Sequence, residues 1–272
     1  MTAATNLETR RAGSVEYHVG GSGEPLLLLH GLAGSTDNWV ELVPDLVAHY
    51  RVIAVDLPGH ARSAPLGRGA TMEDFAASAA AVLDAEGVSR AVVAGHSFGG
   101  LVGLRLARTR PELVRALLLI SPAGIATTTR AAQAVVLTTA TIRPGRAASR
   151  FRHRCAERAW YRRALFRPWF VADADVLSAS ATHGLLSAQA LHADTKVASR
   201  AMLSDDPRAH LAEISCPTLV LWGAQDRQLP LEDAFEYARR LDAKLRLVAD
   251  CGHLVIVERP AAVLDALAEV AA

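Results

Sequence analysis

The chain predicts a doubly wound α/β fold, a mostly parallel sheet with an inserted all-helical segment, on three observations. Short continuous apolar runs alternate with amphipathic stretches along most of its length. Those runs lack the polar alternation of half-exposed strands, as strands of a parallel sheet covered on both faces do. Between Ile120 and Thr218 the alternation stops and only helical patterns follow.

Taken in order, residues 15–19 lie between a Gly-containing turn and Gly20-Gly21-Ser22-Gly23, and predict an antiparallel strand. Residues 26–29, 52–55, 91–94, 116–120, 218–222 and 245–249 are the apolar runs, each the length of a buried strand. The stretches 39–48, 72–86, 101–108, 231–241 and 260–271 have helical spacing, so strand and helix alternate as in a doubly wound sheet. In the gap, residues 131–142, 147–165, 173–186 and 190–203 predict helices, punctuated by Pro144-Gly145, Pro168, His183-Gly184 and Asp205-Asp206-Pro207. The expected division is a core of residues 1–122 and 208–272, with 123–207 inserted as a helical cap over the C-terminal edge of the sheet. That edge is where open α/β sheets bind ligands.

The bulk properties narrow the class. A formal net charge of +1 gives no global attraction to nucleic acid or to an anionic membrane. Three cysteines, Cys155, Cys216 and Cys251, are odd in number and far apart, without metal-ligand spacing. Neither a disulfide framework nor a zinc site is therefore expected. The first eight residues carry neither a basic start nor an apolar stretch, and no run approaches the ~20 apolar residues of a membrane span. A cytoplasmic protein acting on a small molecule, without metal or organic cofactor, is the expectation; nothing in the sequence sets an oligomeric state.

Gly95-His96-Ser97-Phe98-Gly99 joins the apolar run 91–94 to the helical stretch 101–108. Composition alone would supply a Gly-x-Ser-x-Gly string in about one chain in ten of this length, so its setting carries the argument. A strand that turns into a helix within one or two residues strains the residue at the apex, and flanking glycines remove the Cβ atoms that would clash. A serine hydroxyl is a weak nucleophile at neutral pH and needs a base oriented by a carboxylate. Of ten histidines, His253 follows the last apolar run directly and opens on the same sheet edge as Ser97. Asp226 lies just past the preceding strand and completes the order Ser, Asp, His. Asp250 is nearer to His253, but two intervening residues leave it little freedom to reach the far ring nitrogen. A developing oxyanion would take the N–H of Phe98 and one from His30-Gly31-Leu32-Ala33-Gly34, that of Leu32 by preference. His30, His60 and His96 read as packing or turn residues, and Cys251 as a buried thiol.

These motifs, together with Asp56-Leu57-Pro58-Gly59-His60-Ala61-Arg62-Ser63, Gly223-Ala224-Gln225-Asp226 and Gly252-His253, resemble the α/β-hydrolase family over nearly the whole chain. The resemblance implies Ser97 as nucleophile, His253 as base, Asp226 as acid, Leu32 and Phe98 as oxyanion donors, and a variable cap. Ala61 stands where many relatives have glycine. Some relatives carry the acid after the run ending at Ile120, where this chain has Ser121 and Pro122. The implied activity is a serine hydrolase acting on a small or medium ester-like acyl substrate through an acyl-enzyme. The same triad serves carbon–carbon bond hydrolysis, thioester hydrolysis, acyl transfer and cofactor-free perhydrolysis. Some relatives with complete triads act as ligand receptors with slow turnover. Relatives that open epoxides or remove halogens carry aspartate in place of Ser97. Ring-cleavage hydrolases often show Asn-Ser-Met at the elbow and Trp after the base; here His96-Ser97-Phe98 and Leu254 stand there.

Nine arginines, Arg143, Arg146, Arg150, Arg152, Arg154, Arg158, Arg162, Arg163 and Arg167, share one window of the insertion with a single acid, Glu157. On one continuous helix, positions 146, 150, 154 and 158 would share a face. A solvated face enriched by an arginine-rich composition explains this plainly; contact with an anionic substrate or carrier is the sharper expectation.

Overall fold

The computed structural model describes residues 7–128, 130–142, 144–151, 156–191 and 194–272. Its eight strands are β1 (Glu8–Ala12), β2 (Val15–Gly20), β3 (Glu24–Leu29), β4 (Tyr50–Val55), β5 (Ala91–His96), β6 (Val114–Ile120), β7 (Thr218–Gly223) and β8 (Lys244–Val248). They form one sheet in the order β1-β2-β4-β3-β5-β6-β7-β8. The β1–β2 and β2–β4 pairs are antiparallel and all the others parallel. The strand order reverses between β3 and β5, which makes the carboxyl ends of those two strands the natural ligand crevice.

Side chains that alternate along the central strands feed two separate cores. Leu27, Leu29, Ile53 and Val93 pack with Phe75 of α2 (Met72–Ala85) and Leu101 and Val102 of α3 (Phe98–Thr109). Leu26, Leu28, Val52, Ala54, Val92 and Ala94 pack on the other face with Trp39 and Leu42. Leu46 of the short helix α1 (Val43–Leu46) and Val263 and Leu267 at the C-terminus join that second core. Each fully buried leucine contributes about 1.5–3 kcal/mol.

Between β6 and β7 the described residues hold helices and no strand: α4 (Arg130–Ile142), α5 (Pro144–Ser149), α6 (Ala159–Phe166), α7 (Ala179–Leu191) and α8 (Lys196–Ser204). Beyond β7 come α9 (Leu231–Leu241), α10 (Val255–Glu258) and α11 (Pro260–Ala271). The segment between β6 and β7 is tied at both roots. Tyr237 Oη donates to Ala123 O (2.7 Å), and the Asp233 carboxylate accepts from Ala126 N–H (2.9 Å). At the other root the buried Arg105 of α3 holds the Asp205 carboxylate through Nε and Nη2. Gln189 of α7 donates to Ala33 O (2.9 Å), which lays this helix over the loop following β3. Among the described residues, no helix is long and apolar enough to cross a membrane.

Several elements differ from expectation. β1 was not expected: Glu-Thr-Arg-Arg-Ala is polar because it forms a mostly exposed edge strand against β2. β8 is the opposite edge and is largely exposed rather than buried. Instead of one helix over 39–48, a short 3-10 turn (Thr36–Trp39) precedes α1, since Pro44 fits only the first turn of a helix. The expected helix 147–165 is interrupted: α5 stops at Ser149 and Arg158 is extended before α6 begins. A continuous helix would stack arginines at i, i+4, each like-charged pair costing a few tenths of a kcal/mol. Among the described residues Arg146 is helical while Arg150 and Arg158 are not, so these three do not share one helical face; Arg143, Arg152, Arg154 and Cys155 lie outside the described residues. Arg146, Arg150, Arg158 and Arg167 are exposed, Arg163 pairs with Asp175 (2.5 Å), and Arg162 donates to Ala156 O and Ala174 O. The helix expected over 173–186 starts later. Asp173 accepts from Asp175 N–H in a turn, and Ser178 Oγ accepts from Ala181 N–H at the start of α7. The stretch expected as a helix over 190–203 divides between α7 and α8, with Asp194 accepting from Lys196 N–H.

Ala61 sits at φ 45°. An L-residue there costs about 1 kcal/mol, partly offset in glycine by its freer unfolded chain. Ala61→Gly is expected to raise stability by about 0.5 kcal/mol with turnover unchanged. A lower urea midpoint for the variant would contradict the strain.

Candidate active site

From Ala91 to Ala107 every residue is buried except Ser97, which is partly exposed at the junction of β5 and α3. Its backbone is at φ 53°, ψ −115°, a strained conformation for a residue with a side chain. The turn is held by Ser97 N–H to Ile120 O (2.9 Å) and by Ala123 N–H to Ser97 O (3.0 Å). The flanking glycines are required by space: a Cβ on Gly99 would lie 2.1 Å from Leu29 O, and one on Gly95 2.4 Å from Gly99 O. Close helix–strand approach thus lifts the serine to the carboxyl edge of the sheet.

Phe98 is the first residue of α3, so its N–H has no acceptor within the helix. After β3 the chain turns at Gly31–Gly34, closed by Gly34 N–H to Gly31 O (2.9 Å) with Ala33 at φ 63°. Leu32 occupies the first central position of this turn, whose N–H the turn does not use. His30 anchors the loop: its Nε2 accepts from Leu57 N–H (3.0 Å), so its Nδ1 carries the proton donated to Gly31 O (2.8 Å). Just beyond β4, Asp56 is buried and accepts from Thr36 N–H; burial pushes its carboxyl up to about 6, against that hydrogen bond. His60 donates within its own turn, to Pro58 O (3.0 Å), and stacks on Phe98.

The loops after β7 and β8 are laced together by Ala224 N–H to Val248 O (2.9 Å) and Gln225 N–H to Cys251 O (2.8 Å). This brings Asp226 Oδ2 to 2.7 Å from His253 Nδ1, with both side chains almost fully buried. Asp226 Oδ1 accepts from Gln228 N–H (2.8 Å) and Leu229 N–H (3.0 Å). Burial works to raise the Asp226 carboxyl, but the His253 charge and these hydrogen bonds outweigh it and hold the group below its ordinary value. Facing a carboxylate, Nδ1 of His253 carries a proton and Nε2 is left as the basic nitrogen. Asp250, the nearer acid, is exposed and takes Gln225 instead.

Among the described residues no hydrogen bond joins Ser97 to His253. They are tied through His96, whose Nε2–H donates to His253 O (3.0 Å) with ring centroids 5.0 Å apart. Catalytic hydrogen bonds often close only in a substrate complex. His96 is buried, and burial first, then the His253 charge, depresses it to about 3. Cys251 is buried, and desolvation raises its thiol well above the ordinary range, so it is inert as a nucleophile.

A family model described as alpha/beta hydrolase fold matches residues 24–260. The chain belongs to the α/β-hydrolase family. This α/β-hydrolase is 30% identical over 88% of its length to a dihydrolipoyllysine-residue acetyltransferase component of the acetoin cleaving system from Cupriavidus necator, and spans 61% of that protein. It is 28% identical over 92% of its length, and 85% of the relative's, to 2-hydroxy-6-oxo-6-(2'-aminophenyl)hexa-2,4-dienoic acid hydrolase from Metapseudomonas resinovorans. In fold it is similar to E-2-(acetamidomethylene)succinate hydrolase, with a TM-score of 0.78, 20% identity, and 98% and 99% of the two chains covered.

One residue of this α/β-hydrolase's site escaped sequence reasoning. Glu258, at the end of α10, accepts from Gly252 N–H (2.7 Å), Ala172 N–H (2.9 Å) and Asp173 N–H (2.8 Å). The signal available was an acidic residue closing the apolar run Leu254-Val255-Ile256-Val257, where a charge has no reason to sit unless it is satisfied.

Proposed function

We propose that the protein is a serine hydrolase in which Ser97, His253 and Asp226 form a catalytic triad acting on a small or medium ester-like acyl substrate. The observation that carries this is the buried Asp226–His253 hydrogen bond at the sheet edge to which β5 delivers the partly exposed Ser97. His253 Nε2 takes the hydroxyl proton as Ser97 Oγ attacks the carbonyl carbon. The carbonyl oxygen, now negative, is met by the N–H groups of Phe98 and Leu32. His253 returns the proton to the leaving alcohol, leaving an acyl-enzyme that water, deprotonated by His253, then cleaves. Residues 123–207 act as a cap over residues 1–122 and 208–272; the bond from Gln189 to the loop carrying Leu32 supports this placement. The substrate is a small molecule and the reaction runs in the cytoplasm without a cofactor.

A panel of p-nitrophenyl esters of increasing chain length tests this. Wild type is expected to prefer short or medium chains, and Ser97→Ala to lose at least about 10³ in kcat. Turnover retained by Ser97→Ala would overturn the nucleophile. A second reading, hydrolysis of a carbon–carbon bond next to a carbonyl, is favoured by the likeness to the dienoic acid hydrolase, which spans most of both chains. Turnover of a 2-hydroxy-6-oxo-dienoate faster than of any ester would select it.

A further inference from the structure

Glu258 is a buried carboxylate for which the reaction above has no use. An ionised carboxylate in the interior is costly unless its lone pairs are satisfied. Here backbone N–H groups satisfy them, and they come from two distant segments. Oε2 accepts from Gly252, the residue before His253; Oε1 accepts from Ala172 and Asp173, in the insertion after α6.

The same seam carries two further ties. Leu254 N–H donates to Phe170 O (3.0 Å), and His96 Nε2–H donates to His253 O (3.0 Å). Residues 252, 253 and 254 each therefore have one backbone group fixed by a partner outside the loop. The approach is close enough that a Cβ on Gly252 would lie 2.8 Å from Val171 Cα. The His253 ring itself is held at Nδ1 by Asp226. One hydrogen bond leaves a ring free to pivot about it, so the direction of Nε2 depends on where the backbone is anchored.

We propose that Glu258 is a positioning residue: it clamps the 170–173 segment of the insertion to the 252–254 loop and thereby aims His253 Nε2 at Ser97. This rests on the reading of His253 as the general base. It makes the seat of the insertion and the orientation of the base a single unit.

Glu258→Gln is the informative variant. With its one carbonyl oxygen on Ala172 and Asp173, its amide N–H groups face Gly252 N–H, donor against donor, and that tie is lost. The variant is expected to lose about 10- to 100-fold in kcat with KM within about threefold, since a small misplacement far from the chemistry costs on that order. In a His253→Ala background, Glu258→Gln is expected to cost nothing further on the residual turnover, because its effect runs through the imidazole. Equal fold losses in the two backgrounds, or a Glu258→Gln kcat within twofold of wild type, would overturn the proposal. Glu258→Asp, which keeps the charge but shortens its reach, takes the same measurements should the amide variant not fold. Full turnover in Ser97→Ala or His253→Ala would instead bring down the serine-hydrolase reading, independently of anything Glu258→Gln does.

Discussion

Asp226→Asn is expected to lower kcat by about 10⁴ while leaving the fold intact. The hydrogen bonds around the carboxylate dictate why. Oδ1 faces two donors, Gln228 N–H and Leu229 N–H, and Oδ2 faces His253 Nδ1. An asparagine has one oxygen, and the two fixed backbone donors claim it. Its amide N–H groups must then point at His253 Nδ1, which can only accept. The imidazole proton moves to Nε2, the nitrogen that should take the proton of Ser97, and the base is present in place but in the wrong tautomer. Stability should change little, because the backbone hydrogen bonds persist and the ring keeps a partner. The measurement is kcat on the best p-nitrophenyl ester beside a urea melt. A variant with near-wild-type turnover would move the acid to another residue, and Asp250 is poorly placed to replace it.

The residues of the proposed site were legible because each follows an apolar run of the sequence, although the last of those runs forms the largely exposed β8. Ser97, Asp226 and His253 come directly after or just past β5, β7 and β8, so the apolar runs announce both the strands and the loops on which the proposed site sits. The insertion was less legible. Helical spacing marks apolar faces but says nothing of where a turn such as that at Asp173 or Ser178 restarts the chain, so α7 begins later than its periodicity suggests. β1 was hidden for the opposite reason. An edge strand paired on one side has little to bury, and its residues read as a polar terminus. Glu258 was invisible because its partners are backbone N–H groups on segments far apart in sequence, and such partners leave no trace in residue type.

Acid should destabilise this protein steeply, with His96 as a principal cause. The ring is buried, donates Nε2–H to His253 O, and has no hydrogen-bond partner for Nδ1 among the described residues. Burial, and after it the neighbouring His253 charge, depress it from an ordinary 6.5 to about 3. Between those two values the unfolded chain binds a proton at His96 and the folded chain does not. The contribution to stability is thus complete above pH 6.5 and is lost as pH falls from there towards pH 3. The slope is about 1.4 kcal/mol per pH unit, which integrates to roughly 5 kcal/mol over the window. A domain with 5–15 kcal/mol in hand feels a loss of that size. Asp226, held low, adds a loss in the same direction, but only as pH falls below its ordinary value of 3.8. Asp56, raised to about 6, works oppositely, because its folded form prefers to be protonated. Both terms cancel when wild type is compared with His96→Gln, whose amide can still donate to His253 O but cannot titrate. Urea midpoints at pH 7.5, 6.5, 5.5 and 4.5 are expected to fall more steeply for wild type, so that a variant weaker at pH 7.5 draws level in acid. Parallel lines for the two proteins would show that His96 takes up its proton as readily in the fold as in the unfolded chain.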